Sequence, residues 1–285
     1  IMREVYVGGN YFGVAMILRQ AILMSSMLLN FGASLKLNKE NENKLKQVDE
    51  SLLRRVLGAP KSTPIPSLYL ETGSTPVTYI IKGRRLLYLQ YLLKQPKTSL
   101  ISQLLYDQIE NPMRNDWYST VKENLNELGL DHYSLNDIEI MGKQKFKKLV
   151  RAACIDVAFM DLTQKVKVRN LKKIKDITYN KLEMQSYLES KLITTSLKKI
   201  IFSARTKMLP VATNYGQDVN CFACQISRDT NEHLLECVIL KLACPELIEN
   251  TDTVFDDIYS SDIKKLDNIA KLLRSALRTR EILKN

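Results

Sequence analysis

The chain has 285 residues, 45% of them apolar and 26% charged, a balance that suits one or two ordered globular domains and excludes disorder along the whole length. Five cysteines are too few for a disulfide scaffold of this size, so a reducing, intracellular compartment with bound metal explains them better than secretion. The formal net charge is +11, which matters less for its size than for where it lies.

Position 1 is Ile, so nothing is read from where the chain starts. The first long apolar stretch, "YFGVAMILRQAILMSSMLLN" from Tyr11 to Asn30, has the length of a membrane span. Arg19 and Gln20 interrupt its middle, where an Arg costs about 2.5 to 3.5 kcal/mol on insertion scales, and no signal-peptide cleavage pattern follows. A buried or groove-lining helix is the reading the residues favour, and no membrane partner is expected.

Helix patterns then succeed one another. In "QVDESLLRRVLGAP", Val48, Leu52, Leu53, Val56 and Leu57 share a face before Gly58 and Pro60 stop the helix. A loop is expected from Pro60 to Pro66. Thr75 and Pro76 read as cap and first residue of the next helix, with Ile80, Ile81, Leu87, Tyr88, Tyr91 and Leu92 as its apolar stripe and Lys82, Arg84 and Arg85 also on it. After a loop at Gln95–Thr98, further helices are predicted at Leu100–Ile109, at Trp117–Leu128 ending on Gly129, at Lys145–Leu162, and at Leu197–Leu209 ending on Pro210. In the last helix, Ile263, Leu266, Ala270, Leu273 and Leu277 recur at three- and four-residue steps. Fewer than three heptads favours packing within its own domain over an independent coiled coil. With 10 Gly and 8 Pro there is little turn chemistry for an all-β fold, and the fold class is mainly α.

Between Lys143 and Lys207 there are 17 Lys and Arg against 5 Asp and Glu, leaving 25 basic and 26 acidic residues in the rest of the chain. One segment therefore carries the whole imbalance. Its candidate phosphate-binding residues are Lys143, Lys145, Lys147, Lys148, Arg151, Lys165, Lys167, Arg169, Lys172, Lys173, Lys175, Lys198, Lys199, Arg205 and Lys207, the footprint of a surface that neutralises phosphates and releases counterions. The alternative is a solvated charged face with no ligand.

"CFACQISRDTNEHLLEC" places Cys221, Cys224, His233 and Cys237 at the spacing Cys-x2-Cys-x8-His-x3-Cys. Asp229 can cap a helix with Glu232 completing a capping-box-like pattern, and the apolar run from His233 onward continues it. His233 and Cys237, four apart, then share one helix face, while Cys221 and Cys224 chelate from a turn. Three thiolates and an imidazole make a closed tetrahedral set for Zn2+, with no open position for a water, so the cofactor is expected to be structural. Cys244 is a spare, Cys154 a small core residue, and His132 has no visible partner.

No phosphate loop or nucleophile elbow is present, and with two histidines there is little room for a His-based triad. The adjacent Asp256 and Asp257 in "VFDDIY" imitate half of a two-metal site, but no third carboxylate is in view. No catalytic residue is assigned.

The stretches "VDESLLRRVLGAPKSTPIPSLYLETGSTPVTYIIKGRRLLYLQYLL", "NDWYSTVKENLNELGL", "TYNKLEMQSYLESKL", "RTKMLPVATNYG" and "CFACQISRDTNEHLLEC", in this order, resemble the C-terminal part of non-LTR (LINE-type) retrotransposon polyproteins across nearly the whole chain. The resemblance implies a thumb-like helical region over 1–95, a helical linker with the basic segment over 96–210, and a CCHC zinc motif with a C-terminal helix over 211–285. It also implies element RNA or target DNA as partner, a nuclear location, and upstream polymerase domains if the chain is a fragment. The polymerase motif of the palm is lacking, as is a nuclease signature after the zinc motif, so the implied role is to support target-primed reverse transcription without catalysing it. The alternative is an element-derived helical protein-interaction or regulatory protein with a structural zinc site.

Overall fold

The computed structural model describes residues 11–113, 115–168, 179–243 and 254–284. They are mainly helical, and among them the only β pairing is two isolated bridges, Thr72 with Met184 and Asn220 with Arg228. In chain order, α1 (Tyr11–Leu18) runs through a π-helical turn (Arg19–Leu23) into α2 (Met24–Met27). Then come α3 (Lys39–Leu57), α4 (Ile65–Thr72), α5 (Val77–Leu93), α6 (Leu100–Glu110), α7 (Trp117–Glu127), α8 (Leu135–Ile140) and α9 (Lys143–Val168). The remainder is α10 (Ser186–Glu189), α11 (Thr195–Arg205), a 3-10 turn (Ala212–Tyr215), α12 (Asn231–Glu236), α13 (Val238–Ala243), α14 (Val254–Asp257) and α15 (Ile263–Lys284).

The chain forms two compact units that interleave in sequence. Leu18–Ser51 and Ser74–Gln164 make one, while Leu52–Gly73 joins the described residues before 18 and after 164 in the other.

The first unit is organised around α5, which contacts α6, α7 and α8. A helix packed on several sides needs apolar residues all round, and α5 buries Val77, Ile81, Leu86, Leu89, Leu92 and Leu93. This corrects the single stripe expected from the sequence: Ile81 and Leu92 are buried, but Tyr91 is 52% exposed. Pro76, not Thr75, holds the cap position, and no side chain caps this helix. Two of the basic residues of α5 donate to backbone carbonyls in α2 and the segment after it. Arg84 donates to Met24 and Leu28, and Arg85 to Ser34 and Leu35. Gly83 lets α9 approach closely: a Cβ there would lie 3.1 Å from the Cys154 Sγ, so that thiol would have to shift by a few tenths of an ångström to admit one. Cys154 is buried, as the sequence suggested.

The apolar stretch from Tyr11 is not one regular helix. At its π turn Arg19 is buried with Asp49, donating from Nε and Nη2 at 2.7 Å each and from Nη2 to the Thr75 carbonyl at 3.0 Å. The charge that argued against a membrane span is thus neutralised inside the protein, and among the described residues no helix is long and apolar enough to cross a membrane.

In the second unit α15 lies against α11 and buries Leu266, Ile269, Ala270, Leu272, Leu273 and Ala276, so the last helix does pack within its own unit. The loop after α3 ends earlier than expected, because α4 starts at Ile65 with Pro66 in its first turn and buries every residue from Pro66 to Thr72. The buried face includes Glu71, which has no exposed surface. Its carboxylate accepts from Arg205 Nε at 2.9 Å, Tyr179 Oη at 2.7 Å and Tyr187 Oη at 2.9 Å. α11 ends at Arg205, short of the predicted Leu209, and Lys207 turns the chain with φ of +52°.

Removing one partner of a buried ion pair leaves the other charged and unmet, which typically costs about 3 to 5 kcal/mol. Glu71→Ala is therefore expected to lower unfolding stability by about that amount in urea denaturation. A loss under about 1 kcal/mol would show that the network does not hold this unit together.

Candidate metal centre

Cys221 and Cys224 sit in a tight turn closed by the Asn220–Arg228 bridge. The Cys221 amide donates to the Ser227 carbonyl and the Gln225 amide to the Cys221 carbonyl, both at 2.7 Å. Gln225 takes the left-handed conformation, φ +59°, that so short a reversal needs. Folding back in this way aims both thiols to one side.

The other two donors come from the helical segment that follows. Thr230 is its N-cap, its Oγ1 accepting the His233 amide at 3.1 Å, which corrects the assignment of the cap to Asp229 and of the third helical residue to Glu232. Asp229 instead accepts from the Ala212 amide at 2.6 Å and pairs with Arg280. The expected single helix also breaks: α12 ends at Glu236, Cys237 is its C-cap, and α13 begins at Val238. The Cys237 amide still donates to the His233 carbonyl at 2.8 Å, so the two side chains remain on one side.

The four ligand atoms all lie within 4.8 Å of one another. Cys221 Sγ and Cys237 Sγ are 3.9 Å apart, and Cys224 Sγ is 3.2 Å from His233 Nε2. Tetrahedral zinc with Zn–S bonds of about 2.3 Å separates two sulfurs by about 3.8 Å, so the donor set fits such an ion. Cys221 and Cys237 are buried.

The thiols are not electrostatically equivalent. Burial opposes ionisation of Cys224, but the amides of Ser227 and Ile226 and the side chains of His233 and Cys237 outweigh it and bring the thiol down to about 6. Burial, together with the neighbouring sulfurs of Cys221 and Cys224, pushes Cys237 up to about 11. Three thiolates in one pocket repel each other, and a divalent cation is what allows them to coexist.

The predicted basic residues divide into three groups. Lys143, Lys145, Lys147, Lys148, Arg151, Lys165 and Lys167 are exposed on α9. Arg169, Lys172, Lys173 and Lys175 lie outside the described residues. On α11 and beyond, the structure corrects the reading. Arg205 is committed to Glu71, and Lys198 is fully buried, donating to the Leu188 carbonyl at 2.8 Å beneath the Phe12 ring. Neither can reach a phosphate. Lys199 is half-buried over the Tyr11 ring, and Lys207 is half-buried in its turn.

Sequence reasoning missed Arg280. It stacks over the Phe222 ring at 5.0 Å while donating to Asp229 and to the Pro210 carbonyl, tying α15 to the turn that carries the first two ligands. Nothing in local spacing links residues so far apart. Among the acidic pair, Asp257 is ion-paired with Lys265 at 2.6 Å.

No family model, curated protein or solved structure matches this chain.

Purified protein is expected to carry one metal ion per chain by elemental analysis. Cys237→Ser should lose it and Cys244→Ser should keep it. No bound metal in the wild type, or loss with Cys244 alone, would remove the assignment.

Proposed function

We propose that this chain is a nucleic-acid-binding module with a structural zinc ion, the helical C-terminal portion of a non-LTR retrotransposon reverse transcriptase. Its role is to hold RNA or DNA during target-primed reverse transcription, with the chemistry performed by other domains. The observation that carries the binding reading is the first half of α9. Lys143, Lys147 and Arg151 follow one another at four-residue steps on one face, Lys148 lies beside them, and all are exposed. The first carboxylate along α9 is Asp156. A rigid row of cations without interleaved acids suits a phosphate backbone, where each neutralised phosphate releases counterions.

The zinc reading is supported by the donor set of three sulfurs and one imidazole, which leaves no coordination position for a reacting water. The assignment to a retrotransposon rests on the resemblance of the quoted stretches.

A second reading, a protein-interaction role, is favoured by Ile226, Val238 and Leu242, which are 82%, 64% and 71% exposed in the ligand-bearing turn and on α13. Salt separates the two, because phosphate binding weakens steeply with ionic strength and apolar docking does not. Replacing Lys143, Lys147, Lys148 and Arg151 together by Gln should weaken binding to any nucleic acid. In a salt titration it should make the slope of log affinity against log salt shallower by about 0.7 to 0.9 for each phosphate no longer neutralised. Identical slopes and affinities would mark the row as a solvated face and leave the protein-interaction reading standing.

A further inference from the structure

The second unit contains a cleft of about 430 Å³, lined by Pro60, Lys61, Ser62, Asn214, Tyr215 and Gly216, a size within the usual range for small-ligand sites. Both walls are held in place. On one side Arg54 donates to the Pro60 carbonyl at 2.7 Å and the Thr63 carbonyl at 3.0 Å, fixing the loop after α3. On the other, Asn214 is buried and its amide donates to the Leu209 carbonyl at 2.7 Å and to Asn231 Oδ1 at 3.0 Å. Ser62 Oγ joins the walls by donating to the Asn214 carbonyl at 3.2 Å.

On this rigid frame Tyr215 stands 58% exposed. Among the described residues its ring has no stacking partner and its hydroxyl no hydrogen bond, and Lys61, also exposed, has no ion pair. Lys61 is the only charged group of the lining. An exposed aromatic ring, one cation and an apolar proline in the same lining match one flat ring attached to one negative charge.

We propose that this cleft is a stacking subsite for a single unpaired nucleobase, with Tyr215 against its face and Lys61 on the adjoining phosphate. The proposal rests on the nucleic-acid-binding reading and adds to it a preference for single strands, because the base faces of a duplex are already stacked inside it. The side-chain groups of Ser62 and Asn214 that could read a base edge are engaged with the protein itself, so the subsite should be indifferent to base identity.

The test uses the full metal-loaded chain with a fluorescein-labelled short oligouridylate and a blunt duplex of the same length, read by fluorescence anisotropy. Tyr215→Ala should lower affinity for the single strand about 5- to 150-fold, the range expected for losing one base–aromatic stack, and leave duplex affinity unchanged. Tyr215→Phe should bind the single strand like the wild type. Lys61→Gln should make the single-strand salt slope shallower by about 0.7. Melting temperature and metal content of Tyr215→Ala serve as the folding control, since an exposed side chain should leave both unchanged. Wild-type affinity in Tyr215→Ala, with the Gln-substituted α9 variant weakened, would overturn the cleft proposal and leave the binding reading intact. Tyr215→Ala that abolishes binding of a proline-rich peptide, with single-strand affinity unaffected, would make the cleft a peptide groove and overturn the proposal. Absence of nucleic-acid binding by the wild type would overturn both.

Discussion

A carboxylate with no exposed surface must have its charge met inside the protein, and around Glu71 that requirement gathers parts of the chain that lie far apart in sequence. Arg205, Tyr179 and Tyr187 reach its oxygens from 134, 108 and 116 residues away. The Gln185 amide donates to its backbone carbonyl at 3.0 Å, and Arg205 Nη1 continues to the Ile258 carbonyl at 3.0 Å. Burial, followed by the negative charge of Glu71, holds both tyrosine hydroxyls well above their usual range, so they act here as donors. The arrangement fixes α4, α11 and the residues leading into α15 in one register. Buried ion pairs are often no more stabilising than apolar replacements, but losing one partner is costly, and that asymmetry makes Glu71 a constraint on the fold.

From that network the structure leads to the Cys/His cluster through α15. The helix is fixed along α11 by its apolar face, and near its end Arg280 grips Asp229, the Pro210 carbonyl and the Phe222 ring. Phe222 lies between the two cysteines of the turn, and Asp229 precedes the cap of α12. A bound ion would therefore fix the same short segment that Arg280 holds from outside. For a segment with so little core of its own, metal-binding free energy becomes folding free energy.

Much of this was legible in the sequence where the signal is local. The Cys-x2-Cys-x8-His-x3-Cys spacing identified all four residues that the structure gathers, because two ligands in a turn and two at helical spacing need no distant information. Gly58 and Gly129, in the left-handed conformation with φ of +67° and +66°, end α3 and α7 where the pattern placed the stops. The failures are long-range. Arg205 and Lys198 look like members of a basic run, and only the fold shows that Glu71 and the Leu188 carbonyl claim them. α5 defeats a one-stripe reading because neighbours cover it on several sides. Thr230 won the cap over Asp229 because Asp229 had a partner in Arg280, 51 residues on. The Tyr215 cleft left no sequence signal at all, since its walls come from segments 152 residues apart.

X-ray absorption at the zinc edge of the purified protein tests the central claim most directly, that Cys221, Cys224, His233 and Cys237 form a closed structural zinc site. The account predicts a first shell of three sulfurs at about 2.3 Å and one nitrogen at about 2.0 to 2.1 Å, with no oxygen. A shell containing an oxygen or fewer than three sulfurs, or protein that folds fully without zinc, would contradict it.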